Sequence, residues 1–347
     1  MTEIEQMTGA QLRGDGPPIP LRQVAAMVEI AARAPSVHNT QPWRFRVADN
    51  ALEVRADRTR RLAAVDPAGR EMLISCGGAV YGLRLAARWL GYLPLVSMLP
   101  DPQQPELLAR LRLGRREPPT PVERDLLAAV PHRHTQREPF SGDQLPPGLL
   151  PGLQHDAIAE GAALALIHGA GEYQRLAELV AAAGRWQQRD RLVRGELARW
   201  TRLPGSVARD GIPARALPAR VPRLRGTATG RLAPRDFSPG AGSGEPAGGE
   251  AVSGGPAPAT AVLMTGGDTP ADWLRAGQAL HRLLLHAATR WVSASMNTEP
   301  LESPALRALI GARLGRRGAP QAVLQFGTSR IAPATPRRPV GEVLSWA

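Results

Sequence analysis

Three short segments concentrate side chains that could hold an anion or a polar ligand. In HRHTQR, Arg133, Thr135 and Arg137 alternate just beyond a helix end, with His134 between the first two. On an extended chain, residues two apart project to one side, so two guanidinium groups and a hydroxyl would face one ligand. That set suits a phosphate, each charge-assisted hydrogen bond contributing roughly 1.5–3 kcal/mol. The plain alternative is a solvated basic turn. The second segment, RAPSVHNTQPWRF, places a Ser, a His, an Asn, a Thr and a Gln within six positions, between an apolar helical run and an apolar strand. Such a loop caps elements or holds a ligand. The third, ATPRRPVGEVL, carries Arg337 and Arg338 between prolines that restrict the backbone; alone it reads as a surface turn.

Composition narrows the chemistry. At 347 residues and 43% apolar content the chain can bury a substantial core and is long enough for two domains. The net charge of +12 comes without a single lysine, its arginines are scattered, and aromatics are only 4%, a poor basis for binding nucleic acid. Without lysine there is no Schiff-base chemistry and no P-loop. One cysteine, Cys76, excludes an internal disulfide framework and a Cys-rich zinc site. Apolar runs fall far short of the ~20 residues a spanning helix needs, and the opening MTEIEQMTGAQLRGDG lacks signal-peptide character. The expectation is a soluble cytoplasmic protein acting on a small molecule, with neither nucleic acid nor membrane as partner.

The elements that must position these residues occur twice. After a loose tail (1–20), a first unit (21–118) reads as a helix from Leu21, the polar loop, a β-hairpin in WRFRVADNALEVRAD, and a long helix in DPAGREMLISCGGAVYGLRLAARWLGY ending near Gly91. LPLVSMLP follows as a strand and PELLARLRLG as a short helix. A second unit (119–347) begins at TPVE, a capping box. It continues through a Pro-led helix and an apolar strand in LPPGLLPGLQHDAIAEGAALALIHG to a second long helix, DTPADWLRAGQALHRLLLHAATRW. CGGAVYGLRLAARW parallels AGQALHRLLLHAATRW, and PELLARLRLGR parallels SPALRALIGARLGR. The second unit also carries an insertion (171–260). Its first part, EYQRLAELVAAAGRWQQRDRLVRGELARW, reads as helical, and SPGAGSGEPAGGEAVSGGPAPA as disordered. The first unit has the polar loop and lacks HRHTQR; the second has HRHTQR and only EGAA where the loop would be.

This ordering resembles the nitroreductase superfamily, α+β flavin enzymes that work as homodimers, and within it the Acg-like branch. RHTQR is similar to the family's Arg-x-Ser-x-Arg/Lys FMN motif, with Thr135 for Ser; APSVHNTQPW is similar to its Pro-Ser-x-x-Asn-x-Gln-Pro-Trp loop; PRRP stands where late basic residues close over the phosphate. The resemblance implies two tandem units in one chain that mimic the homodimer, a lid-like insertion, and one complete FMN site. It also implies a pseudo-dimeric monomer, with further oligomerisation open. By the same resemblance Arg133 and Thr135 bind the FMN phosphate and Arg337 and Arg338 close its other side. Arg137 sits nearer the pyrimidine end of the ring, Pro35, Ser36 and Asn39 line the opposite edge, and His134 neighbours the flavin or acts through its backbone. Met296, Asn297 and Thr298 run beneath the ring, although Trp291 in the usual Gly position leaves that geometry open.

Other residues have structural readings. Pro42 and Trp43 pin the loop, His38 packs it, Cys76 fills core, and His132 with His134 has no third metal ligand. The flavin would carry the chemistry, with no catalytic side chain. The expected function is ping-pong hydride transfer from NAD(P)H through FMN to a nitro compound, quinone or similar acceptor. A flavin-storing protein with little turnover, or a biosynthetic flavin dehydrogenase, is the alternative.

Overall fold

The computed structural model describes residues 17–138, 140–217, 232, 235, 237, 257–314, 317–329 and 334–347. Residues 238–256 of the Gly/Pro-rich stretch expected to be disordered and most of the N-terminal tail lie outside them, while the last residue of that stretch, Ala259, opens a strand. Helix α1 (Leu21–Ala32) leads through the polar loop into β1 (Trp43–Ala48) and β2 (Ala51–Ala56), which pair around Asp49 and Asn50. Both turn residues have positive φ, 47° and 54°, the left-handed pair a two-residue hairpin needs and that Asp and Asn tolerate. Helix α2 (Arg70–Trp89) is followed by β3 (Tyr92–Met98) and β4 (Leu107–Arg116).

Segment PELLARLRLG is therefore a strand, which corrects the helix expected there. Ala109, Leu111 and Leu113 take the buried side while Arg110 and Arg112 take the other. That two-residue period overrides the helix propensity of Leu and Arg.

The second half opens with α3 (Pro121–Ala129), whose capping box joins Thr120 and Glu123. Next come α4 (Leu149–Ala159), β5 (Ala162–Leu166), α5 (Ala170–Arg189) and α6 (Arg191–Trp200). Asp190 separates the last two, its carboxylate accepting from Leu192 N at 2.8 Å. Two short strands, β6 (Thr201–Arg202) and β7 (Ile212–Pro213), pair with each other. The chain then forms β8 (Ala259–Thr265), α7 (Pro270–Thr289), β9 (Val292–Met296), α8 (Glu299–Glu302), α9 (Pro304–Arg313) and β10 (Ala319–Thr328). Beyond these lie α10 (Val340–Val343) and β11 (Leu344–Trp346). Segment SPALRALIGARLGR is thus helix α9, and the counterpart of β4 is β10.

The two sheets share one connectivity. The first runs β11-β1-β2-β4-β3 and the second β5-β8-β10-β9. Setting β11 aside, the order is the same once β1, β2, β3 and β4 are matched to β5, β8, β9 and β10. Strand β11, unexpected from sequence, pairs parallel with β1, Phe45 opposite Leu344, so the C-terminal segment completes the first sheet. One core lies under the first sheet around Trp43, Phe45, Leu83 and Leu111. Another lies under the second around Leu263, Leu283, Leu324 and Phe326.

Helices α2 and α7 hold the halves together by near backbone contact. A Cβ on Gly277 would collide with Ile74 O, and one on Gly77 would collide with Leu274 O. The contact is reciprocal, as at a two-fold interface. His281 Nδ1 meets Gly78 O at 2.7 Å across it. No helix among the described residues is long and apolar enough to cross a membrane. Replacing Gly277 by Ala forces the helices apart and should cost at least about 1–3 kcal/mol of stability. Urea unfolding measures this; an unchanged midpoint would mean the contact can relax freely.

Candidate anion and cofactor site

The site begins at the C-terminus of α1, where carbonyls lack intrahelical partners and carry partial negative charge. Arg337 reaches into it. Its Nε donates to Ala32 O at 2.8 Å and its Nη2 to Arg33 O and Ala34 O at 3.3 and 3.2 Å. Its Nη1 donates to Asn39 Oδ1 at 3.0 Å and Thr335 Oγ1 at 2.8 Å. Arg133 joins from the other half, Nη2 donating to Arg33 O at 3.0 Å.

The polar loop spends its side chains on holding itself. Ser36 Oγ accepts from Gln41 N at 3.0 Å and Thr40 Oγ1 donates to Val37 O at 2.9 Å. Asn39 Nδ2 donates to Gly211 O at 2.9 Å and Pro336 O at 3.1 Å, and Gln41 Nε2 donates to Arg209 O at 2.8 Å. His38, Asn39 and Gln41 all have positive φ, a conformation Asn accepts and His and Gln hold only under constraint. Pro35 is buried, and Trp43 is fully buried behind the loop. The Cys76 thiol donates to Pro42 O at 3.3 Å, and burial pushes its pKa upward.

The four expected segments converge. Thr135 forms a backbone bridge with Ala294, and Gln136 N donates to Ala294 O at 2.8 Å, laying HRHTQR along β9. Met296 ends β9, Asn297 N donates to Val323 O at 3.0 Å, and Thr298 precedes α8. Arg338 goes elsewhere. Consecutive residues of an extended chain face opposite ways, and its guanidinium turns to Glu342, with Nη2 donating to Glu342 O at 3.0 Å. Trp291 has φ 57°, the left-handed position that Gly91 fills at the end of α2, and is 68% exposed. It packs on the His132 ring at 5.2 Å rather than turning toward Met296–Thr298.

The electrostatics separate two kinds of arginine. Burial, then Arg137 and Arg33, lower the Arg133 pKa to about 10. Burial, then Arg133, Arg33 and Arg137, lower that of Arg337 to about 9; burial lowers Arg137 to about 10. No carboxylate among the described residues offsets these charges, and Arg133 Nε and Nη1 are buried without a partner there. Arg235, from the insertion, is the opposite case. Its Nε pairs with Glu299 at 3.1 Å, and Nη2 pairs with Glu302. Burial alone would lower its pKa, and the two glutamates outweigh that and raise it. Its Nη1 also lies 2.9 Å from His38 Nε2; a guanidinium only donates, so His38 accepts there. Phe237 stands edge-on to the His38 ring at 6.0 Å and 6.0 Å from the Arg137 guanidinium.

Sequence reading missed Arg33, Arg235, Phe237 and Glu302 as neighbours of the site. Only the Glu299–Glu302 spacing on one helical turn offered a signal. A separate groove of about 380 Å³ between Asp268, Arg307 and Pro320 is lined by none of the candidate residues.

Matches to known proteins accompany this geometry. Residues 15–75 match the nitroreductase family. A Mycobacterium tuberculosis (strain ATCC 25618 / H37Rv) protein provisionally named an NAD(P)H nitroreductase, Rv3131, is 33% identical over 330 residues, spanning 93% of this chain and 91% of that protein. This chain belongs to the nitroreductase family of oxidoreductase enzymes. From the same organism, a second protein provisionally named an NAD(P)H nitroreductase, acg, is 30% identical over 332 residues, 92% of this chain and 94% of that one. A solved nitroreductase with bound FMN from Bacteroides fragilis NCTC 9343 is similar at 11% identity and a TM-score of 0.34, over 61% of this chain and 92% of that chain.

Trp291→Gly should raise stability by about 1 kcal/mol by relieving the left-handed strain, read as a later urea midpoint; an earlier midpoint would mean the His132 contact matters more. Three histidines are held neutral by burial and nearby arginines: His38 well below 6.5, His134 at about 4 and His281 at about 3. The unfolded chain binds more protons below 6.5, so their contribution to stability falls as pH drops from 6.5 toward 4. His134→Gln should flatten part of that slope in unfolding titrations, and an unaltered slope would exclude His134 from it.

Proposed function

We propose that the chain is an FMN-dependent oxidoreductase that takes a hydride from NAD(P)H and, in a separate half-reaction, reduces a small acceptor such as a nitro compound or quinone. The observation that carries this reading is the buried, partnerless Nε and Nη1 of Arg133 within a group of guanidiniums that no acid among the described residues neutralises. That donor set fits a phosphate dianion. FMN, when bound, supplies the redox chemistry. Arg133 would hold its phosphate, and Arg137, the neighbouring cation, would favour negative charge on the ring. Thr135, Pro35, Ser36, Met296, Asn297 and Thr298 would shape the walls, and Asn39 would act through the loop it fastens.

The shared sheet connectivity supports a further reading, that the chain is a fused pair of nitroreductase-like units acting as a pseudo-dimeric monomer. The polar loop comes from one unit and HRHTQR from the other, so one site of the ancestral pair would survive. Helices α5 and α6 would form a lid. Glu196 accepts from Val65 N at 3.1 Å, and Val193 and Trp200 pack on Leu62 and Val65.

One observation favours a second reading, flavin storage with little turnover. Arg235 and Phe237, from the insertion, stand against His38 and Arg137, where they would cover part of a ring held beside Arg137. Anaerobic addition of NADPH to flavin-loaded protein distinguishes the two. Bleaching of the yellow colour within seconds is expected for the oxidoreductase. Colour that survives NADPH and fades with dithionite would replace it with storage, and protein that retains no flavin would defeat both.

A further inference from the structure

We infer that Arg33, the residue that opens the polar loop, is a direct ligand of the phosphate beside Arg133, and that Arg337 is a positioning residue that does not touch it. The inference rests on the FMN reading above and assigns its anion contacts to particular side chains.

Counting donors carries the argument. A guanidinium has five N–H groups. Those of Arg337 have seven acceptors within reach: Ala32 O, Arg33 O, Ala34 O, Asn39 Oδ1, Thr335 Oγ1, Thr335 O and Pro336 O. None is left for an anion. Arg338 keeps one unpartnered nitrogen, Nη1, but its guanidinium lies with Glu342, Arg60 and Asp57 rather than with Arg133. Arg133 has the reverse pattern to Arg337: one contact, to Arg33 O, and two buried nitrogens without partners. A phosphate monoester offers three terminal oxygens, more than the free edge of one guanidinium satisfies.

Arg33 supplies the missing donors. Its carbonyl accepts from both Arg133 and Arg337, which sets the Arg33 backbone beside the cluster. It is half-buried, and among the described residues its guanidinium has no hydrogen bond or ion pair. Its charge acts on Arg133, Arg337 and His134 alike. Like charges gathered without an acid repel one another, and a dianion between Arg33 and Arg133 turns that repulsion into attraction.

The test compares FMN with riboflavin, which lacks the phosphate, by quenching of flavin fluorescence on flavin-stripped full-length protein. Arg33→Gln should weaken FMN about tenfold to a hundredfold and leave riboflavin unchanged, with Arg33→Lys between. Arg338→Gln should leave the FMN-to-riboflavin ratio as in the wild type. Because Arg33→Gln removes a like charge, the stripped variant should also melt no lower than the wild type. An unaltered FMN-to-riboflavin ratio in Arg33→Gln would overturn the inference. So would equal loss of both flavins with a lower melting temperature, the mark of a structural role. Wild-type protein that binds FMN no better than riboflavin would instead overturn the FMN reading itself.

Discussion

One buried cation fastens the C-terminal segment to the carbonyl end of α1. Arg337 comes from the C-terminal segment and fills the exposed carbonyl end of α1 with Nε and Nη2, while Nη1 turns to Asn39 and Thr335. Burying a guanidinium without a carboxylate is costly. Here the helix-end carbonyls and Asn39 offset that cost, and a pKa of about 9 leaves the group charged at neutral pH. Removing it would strand the Ala32 and Ala34 carbonyls and free the loop whose left-handed residues it restrains. The other candidate residues depend on that loop being fixed.

Charge is partitioned around this anchor. On one side Arg33, Arg133, Arg137 and Arg337 gather without acids among the described residues. On the other, Asp66, Glu71, Glu299 and Glu302 outnumber Arg70 and Arg235. Burial, then Glu302, raises the pKa of Glu71 well above the ordinary carboxylate range, and burial also raises that of Glu302. The acidic side therefore retains a proton more readily than exposed carboxylates do, and it holds Arg235 firmly. The basic side is left to meet an anion. The insertion's Arg235 is thus fastened by the acids and adds no competing charge to the cations.

Much of the fold was legible because periodicity and capping agreed. The hairpin around Asp49 and Asn50, the capping box of α3 and both long helices follow from local pattern. Segment LLARLRLGRR misleads because Leu and Arg favour helix while their alternation favours strand, and only pairing with β2 and β3 decides between them. Strand β11 is three residues long and depends wholly on β1 for its existence. At the site, the convergence of loop, RHTQR and PRRP could be anticipated from the resemblance. The division of labour among the arginines could not, since Arg337 and Arg338 are adjacent in sequence and differ only in which way an extended backbone turns them. Arg235 and Phe237 lie in a Pro/Gly-punctuated stretch with no period to read.

The return of the C-terminal segment to the first sheet has a consequence for biogenesis. A ribosome making this chain exposes α1, the polar loop and β1 long before Arg337 and β11 exist. The edge of β1 and the carbonyl end of α1 must wait, unpaired, until those late residues emerge. Assembly of the ligand cradle therefore comes late in synthesis, and a nascent chain has nothing with which to close it.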